Sequence, residues 1–480
     1  MGEQTKRITQ LITTDKGVVQ GFVLKGKRKQ LFAYYGIPYA EPPVGELRWK
    51  DAREKKSWDG TWDCTSPLVE QKSNYQWGTN LLSYFRTLNQ SEDCLYLNIT
   101  TPAENADANL PVMVWFHGGG FFGGSGSEEV YNLPNLPEAG CILVTVTTRL
   151  GGFGFLCADV INCEEGKPNA GNFMISDMLE ALRWVRRNIA EFGGDPDNVT
   201  IAGESGGSLK VNALMTVPMA KGLFKRAIMQ SGTSSAISWS EAKEMGNRLM
   251  NKLGVKTINQ AYAIKPEEIV QAYNEMQGTS DFIVDNYYLF TTPVEAIAEG
   301  RYNKCDIIVG ANTGELSNLL PMIGGIPSYT TILNRVTKDG YRAYAYLMDQ
   351  VPATWRSLGF QCVHSLDIAY LFGEYENNDR FFDGGPWEQQ FIFHGAGDRI
   401  NPEKFISPIM DKEDRALSDL IVDMWVSFMR TGTPASPYAV WEQWTPEGEE
   451  YIHFINMNGM SPHMEKFYSE LTIKPTRGIQ

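Results

Sequence analysis

Val199-Thr-Ile-Ala-Gly203-Glu204-Ser205-Gly206-Gly207-Ser208 is the stretch whose reading decides the fold. An apolar run of strand length meets Gly-x-Ser-x-Gly, and residues 209–215 beyond it read as helix. A strand running straight into a helix throws Ser205 onto a tight, strained turn between them. Gly203 and Gly207 flank that turn because helix and strand approach too closely there to admit a Cβ. The helix N-terminus behind Ser205 offers backbone N–H groups and a positive dipole end, both suited to a developing oxyanion. A chain with 46 glycines can produce one such motif by accident, so its weight rests on the rest of the chain.

Working outward, short apolar strands recur at 111–116, 141–146, 306–310 and 341–348. Helical spacing recurs between them. Met178, Leu182, Val185 and Ile189 mark one face of a helix over 176–191, stopped by Gly193-Gly194. Ser238-Trp-Ser-Glu241 is a capping box opening a helix that Gly254 ends, and Pro266 opens another. Leu417, Ile421, Met424 and Phe428 line a late helix closed by Gly432 and Pro434. This alternation predicts an α/β fold with a mostly parallel central sheet and helices on both faces. Residues 17–23 and 31–35 predict an N-terminal antiparallel hairpin. No repeat, low-complexity tract or flexible linker divides the chain, so 1–480 reads as one domain.

Composition narrows the function. With 43 basic and 57 acidic residues the net charge is −14, which argues against nucleic-acid binding. An acidic surface steers cationic ligands, but ordinary solubility accounts for it as well. No apolar run reaches the roughly 18 residues that a membrane span needs. Met1–Arg7 carry no apolar signal region, so a cytoplasmic location is expected, with secretion after signal removal as the alternative. Oligomeric state is not legible. The seven cysteines form no Cys-x-x-Cys pair, and no metal or organic cofactor is implied.

A serine hydroxyl is a poor nucleophile at neutral pH. It needs a base, a group that orients the base, and donors for the oxyanion. His117-Gly118-Gly119-Gly120 follows a buried strand, where glycines let N–H groups turn towards a substrate oxygen. A phosphate cradle is the other reading of such a loop, but the Lys and Ser/Thr of a P-loop are absent. Glu315 stands a few residues past a buried strand, at the sheet edge where ligands bind. Five histidines compete for the role of base. His117 belongs to the glycine loop, while His453 and His463 lie near the C-terminus without motif context. His364 and His394 are the serious candidates.

Gly36-Ile-Pro-Tyr-Ala-Glu-Pro-Pro-Val-Gly, Ser91-Glu-Asp-Cys-Leu-Tyr-Leu-Asn, His117-Gly-Gly-Gly-Phe, Phe192-Gly-Gly-Asp-Pro and Gly203-Glu-Ser-Gly-Gly together resemble the type-B carboxylesterase family, which includes the cholinesterases. The likeness runs from about residue 10 to 445, and the length is similar to that of compact bacterial para-nitrobenzyl esterase-like members. It implies an α/β-hydrolase fold and a serine hydrolase acting on small-molecule carboxylic esters through an acyl-enzyme. Gly310-Ala-Asn-Thr-Gly-Glu315 matches the family's acid motif with its Asp and second Gly replaced. His364, followed by Asp367 and Phe372-Gly373, fits the family's histidine register and is preferred over His394.

The resemblance thus implies a Ser205–His364–Glu315 triad, with oxyanion donors at Gly119, Gly120 and Gly206. It implies support for the triad from Ser231, and places Glu204 either at the active-site water or as a structural acceptor. It also implies a disulfide between Cys64 and Cys94. Where the family carries a tryptophan that binds choline, Trp77 is out of register, so choline specificity is not expected. The helical wall at 316–340 is short for the family, and 374–412 reads as an insert rich in aromatic residues. That insert either covers the mouth of the site or decorates the surface. An amide, carbamate or lactone hydrolase with the same triad is the alternative activity. A catalytically silent adhesion relative is a weaker alternative, because such relatives typically lose a triad member.

Overall fold

The computed structural model describes residues 8–472 apart from 69–70, 76–88, 162–163, 165, 170, 277, 279–280, 317–323, 357–361, 374–409 and 458. Trp77, Cys163, His394 and nearly all of the insert therefore lie outside the described residues.

Thirteen strands form one sheet among the described residues. In chain order they are β1 (Ile8–Thr13), β2 (Val18–Lys25), β3 (Gln30–Pro38), β4 (Thr61–Asp63), β5 (Tyr96–Thr101), β6 (Leu110–Phe116), β7 (Ile142–Val146), β8 (Gly194–Glu204), β9 (Arg226–Gln230), β10 (Asp306–Asn312), β11 (Ala343–Met348), β12 (Tyr451–Phe454) and β13 (His463–Glu465). Their order across the sheet is β1-β2-β3-β5-β7-β6-β8-β9-β10-β11-β12-β13, with β4 beside β2. The stretch from β7 to β12 is parallel throughout, while β1, β2, β3 and β5 pair antiparallel. The hairpin expected at the N-terminus is β2–β3. Chain order reverses around β6, since β7 lies on one side of it and β8 on the other. Such a reversal opens a crevice at the C-terminal ends of the strands.

The central strands are apolar along their whole length because both faces are covered. In β6, Val112, Val114 and Phe116 face one core with Met178, Leu182 and Val185 of α1 (Phe173–Asn188) and Val211 and Leu214 of α2 (Gly206–Thr216). Met113 and Trp115 alternate to the other face, with Leu417, Ile421, Met424 and Phe428 of a helix at Lys412–Thr431. Each large side chain so buried contributes about 1.5–3 kcal/mol. The helix expected over 176–191 starts earlier and tightens into a 3-10 turn at Ile189–Phe192 before Gly193. It is also buried nearly all round, because polar residues on it are paired inside. Asp177 accepts from Arg149 Nε at 2.9 Å with both side chains buried. The Ser238 capping box forms as expected and opens α3 (Trp239–Lys252).

The expected disulfide is absent. Cys64 and Cys94 are both free and buried. The Cys64 carbonyl accepts from Tyr35 N–H, whereas Leu95, next to Cys94, accepts from Tyr39 N–H. Cys64 stands beside Tyr34, whereas Cys94 stands beside Tyr39 and the Arg149–Asp177 pair, so the two thiols occupy different places in the core. Within 316–340, the stretch expected to form a short helical wall, α4 runs over Gly325–Lys338. Among the described residues no helix is long and apolar enough to cross a membrane.

Candidate active site

Strand β8 ends at Glu204 and helix α2 begins at Gly206, so Ser205 alone makes the corner. Its backbone sits at φ +55° and ψ −123°. A side-chain-bearing residue held there stores about 1–3 kcal/mol of strain, which the surrounding packing must sustain. That packing is tight. A Cβ on Gly203 would lie 2.5 Å from the Gly207 carbonyl carbon, and one on Gly207 would lie 2.0 Å from the Phe116 carbonyl oxygen.

The glycine loop leaving β6 rests on the N-terminus of α2. A Cβ on Gly206 would lie 2.2 Å from the Gly120 carbonyl oxygen and 2.6 Å from its nitrogen. Gly119 and Gly120 both take positive φ, at +89° and +61°. Among the described residues, the N–H groups of Gly119, Gly120 and Gly206 donate to no other backbone group. The three sequence-predicted oxyanion donors are thus neighbours.

Glu315 closes a 3-10 turn, Thr313–Glu315, directly after β10, and its side chain is buried. Its Oε1 accepts from the Ser231 hydroxyl at 2.6 Å and from the Asn312 N–H at 2.8 Å. Its Oε2 is bonded to His364 Nδ1. His364 leads into α5 (Leu366–Phe372) through Ser365, whose φ is +67°. Asp367 on α5 is buried and accepts from Gln230 Nε2 and the Tyr346 hydroxyl, each at 2.8 Å. Those bonds moor the helix to the end of β9 and to β11, which fixes where His364 stands.

The other ring nitrogen of His364, Nε2, lies 3.3 Å from Glu204 Oε1, and that oxygen also accepts from the Ser365 hydroxyl at 2.7 Å. Glu204 is therefore a buried partner of the histidine. No hydrogen bond joins His364 to the Ser205 hydroxyl among the described residues. Catalytic hydrogen bonds are often long before substrate arrives. Burial alone would push His364 down, but the Glu204 and Glu315 carboxylates outweigh it and hold the imidazolium above the ordinary histidine range. Burial pushes Glu204 up, with His364 opposing it. The imidazole thus lies between two carboxylates, one at each nitrogen.

Sequence reading missed Asn312, Ser365 and Lys210. Lys210 lies on α2, fully buried, and its Nζ donates to the His117 carbonyl at 2.9 Å. Burial pushes its amine well below the ordinary lysine range. The available signal was a lone charge in an otherwise uncharged helix, five residues past Ser205. Among the described residues no cluster of metal-type ligands gathers at this site.

The family model for the carboxylesterase family matches residues 8–326. The chain is 31% identical over 479 residues to para-nitrobenzyl esterase of Bacillus subtilis, covering 92% of this chain and 94% of that protein. It is 34% identical over 351 residues to carboxylesterase 1D of Rattus norvegicus, covering 66% of this chain and 60% of that one. A solved structure of PNB esterase superimposes with a TM-score of 0.79 at 26% identity, over 97% of this chain and all of that one. A Geobacillus stearothermophilus carboxylesterase gives a TM-score of 0.75 at 26% identity, over 95% of this chain and 97% of that one.

Proposed function

The chain belongs to the carboxylesterase family, and we propose that it hydrolyses small-molecule carboxylic esters through an acyl-enzyme formed on Ser205. Ser205 Oγ attacks the ester carbonyl carbon while His364 Nε2 takes its proton. Glu315 holds Nδ1, which fixes the tautomer and stabilises the imidazolium as it forms. The negative oxygen of the tetrahedral intermediate lies against the N–H groups of Gly119, Gly120 and Gly206, at the positive end of α2. His364 then returns the proton to the departing alkoxide. Water repeats the sequence on the acyl group and frees Ser205.

The observation that carries this reading is the bond between Glu315 and His364 Nδ1, with Nε2 turned towards the end of β8. Kinetics with a panel of p-nitrophenyl esters, beside an amide and a lactone, test the activity. Esters should be turned over fastest. Ser205→Ala and His364→Ala should each lose kcat by about 10³-fold or more. Survival of activity in His364→Ala, with its loss in His394→Ala, would reassign the base.

A further inference from the structure

His453 and His463, which carried no motif context in the sequence, stand directly opposite each other on β12 and β13. Opposed residues of an antiparallel pair project to the same face, and the two rings lie 5.3 Å apart. Glu465 is two residues beyond His463 and so shares that face. Its Oε1 lies 3.1 Å from His453 Nδ1 and 3.1 Å from His463 Nε2. From this geometry we infer a binding site for a divalent transition-metal ion of the zinc type, held by His453 Nδ1, His463 Nε2 and Glu465 Oε1.

The spacing suits such an ion. The three ligand atoms lie within 4.8 Å of one another. Ligands at the corners of a tetrahedron with bonds of about 2.0–2.1 Å stand roughly 3.3 Å apart. The groups around the ligands suit it too. His463 Nδ1 faces the Ser461 carbonyl at 2.8 Å, and His453 Nε2 faces the Asp349 carboxylate at 3.5 Å. A metal-bound imidazole commonly donates its remote N–H to a carbonyl or carboxylate; His463 Nδ1 is placed to do so, while His453 Nε2 stands near its carboxylate without a hydrogen bond. The second oxygen of Glu465 is engaged by the Tyr451 hydroxyl, which leaves Oε1 for the ion.

His463 is 45% exposed, so the site opens to solvent and has room for water as a fourth ligand.

The site is structural in character. It ties β13 to β12, and through Asp349 it reaches the Thr313 hydroxyl, two residues before Glu315. It therefore braces the loop that carries the acid without touching the reacting atoms. The test strips the full-length protein with a chelator, then adds Zn²⁺ in competition with a chromophoric chelator. One equivalent should bind per chain and raise Tm. Affinity should fall about 100-fold or more in His463→Ala and in Glu465→Gln, and both variants should keep ester turnover, which also reports that they fold. Absence of stoichiometric binding, or binding unchanged in both variants, overturns the site.

Discussion

Gly206 lies where a Cβ would press into the backbone of Gly120. Gly206→Ala should therefore displace the glycine loop from the helix N-terminus. The expected result is a fall in kcat of about 10–100-fold with KM little changed, since the donors act mainly in the transition state. Glu204 shares His364 with Glu315 and helps hold its proton on. The base must be neutral to accept from Ser205. Glu204→Gln removes a charge that favours the imidazolium, so the acid limb of the kcat/KM profile should move to lower pH. An unmoved limb would show that Glu204 does not set the base. Lys210 has the opposite sign of linkage. Its folded pKa is depressed, so the unfolded chain binds more protons between that value and about 10.4, and stability rises with pH across the window. Urea titrations of wild type and Lys210→Met from pH 7 to 10 should show the difference moving in favour of wild type as pH rises. Ser205 was legible because its corner demands glycines around it. Ser231 and Glu315 were legible through motif and order. The Glu204–His364 contact was not, because it depends on how strand ends approach in space.

At the scale of elements, the strands and helices were largely readable from periodicity. β6 follows its pattern to within a residue, and the late helix ends at Gly432 as expected but starts at Lys412, five residues before the apolar face first read at Leu417. Helix α1 was half-read, since its buried Asp177 looks polar in sequence and is paired with Arg149 in the fold. Strands β12 and β13 escaped, being only four and three residues long. Helix α5 joins this scale to the chemistry. Asp367→Ala would leave Gln230 and Tyr346 with buried donors, at a cost of roughly 1–3 kcal/mol each. Chemical denaturation should report that loss. Kinetics should report a lower kcat as well, because His364 stands three residues before Asp367.

Across the whole molecule, family likeness misled at the cysteines. Cys64, Cys94, Cys141, Cys305 and Cys362 are free and buried, and burial pushes Cys94 and Cys362 well up from the ordinary thiol range. In native protein these five thiols should react slowly with thiol reagents. Under denaturant without reductant, all five should become titratable. The mostly parallel sheet was legible because it needs only local pattern, whereas its topological reversal was not, because strand order across the sheet depends on how the crossovers pack. Nor were the contents of the site, from the Gly120–Gly206 approach to the Lys210–His117 contact, because they depend on long-range packing. The claim that joins all three scales is that Ser205 carries the acyl group. Mass spectrometry of protein quenched during turnover of p-nitrophenyl acetate tests it directly. The account predicts one acetyl group on the peptide containing Ser205, and none in Ser205→Ala. An acyl group on another residue, or turnover persisting in Ser205→Ala, would contradict it.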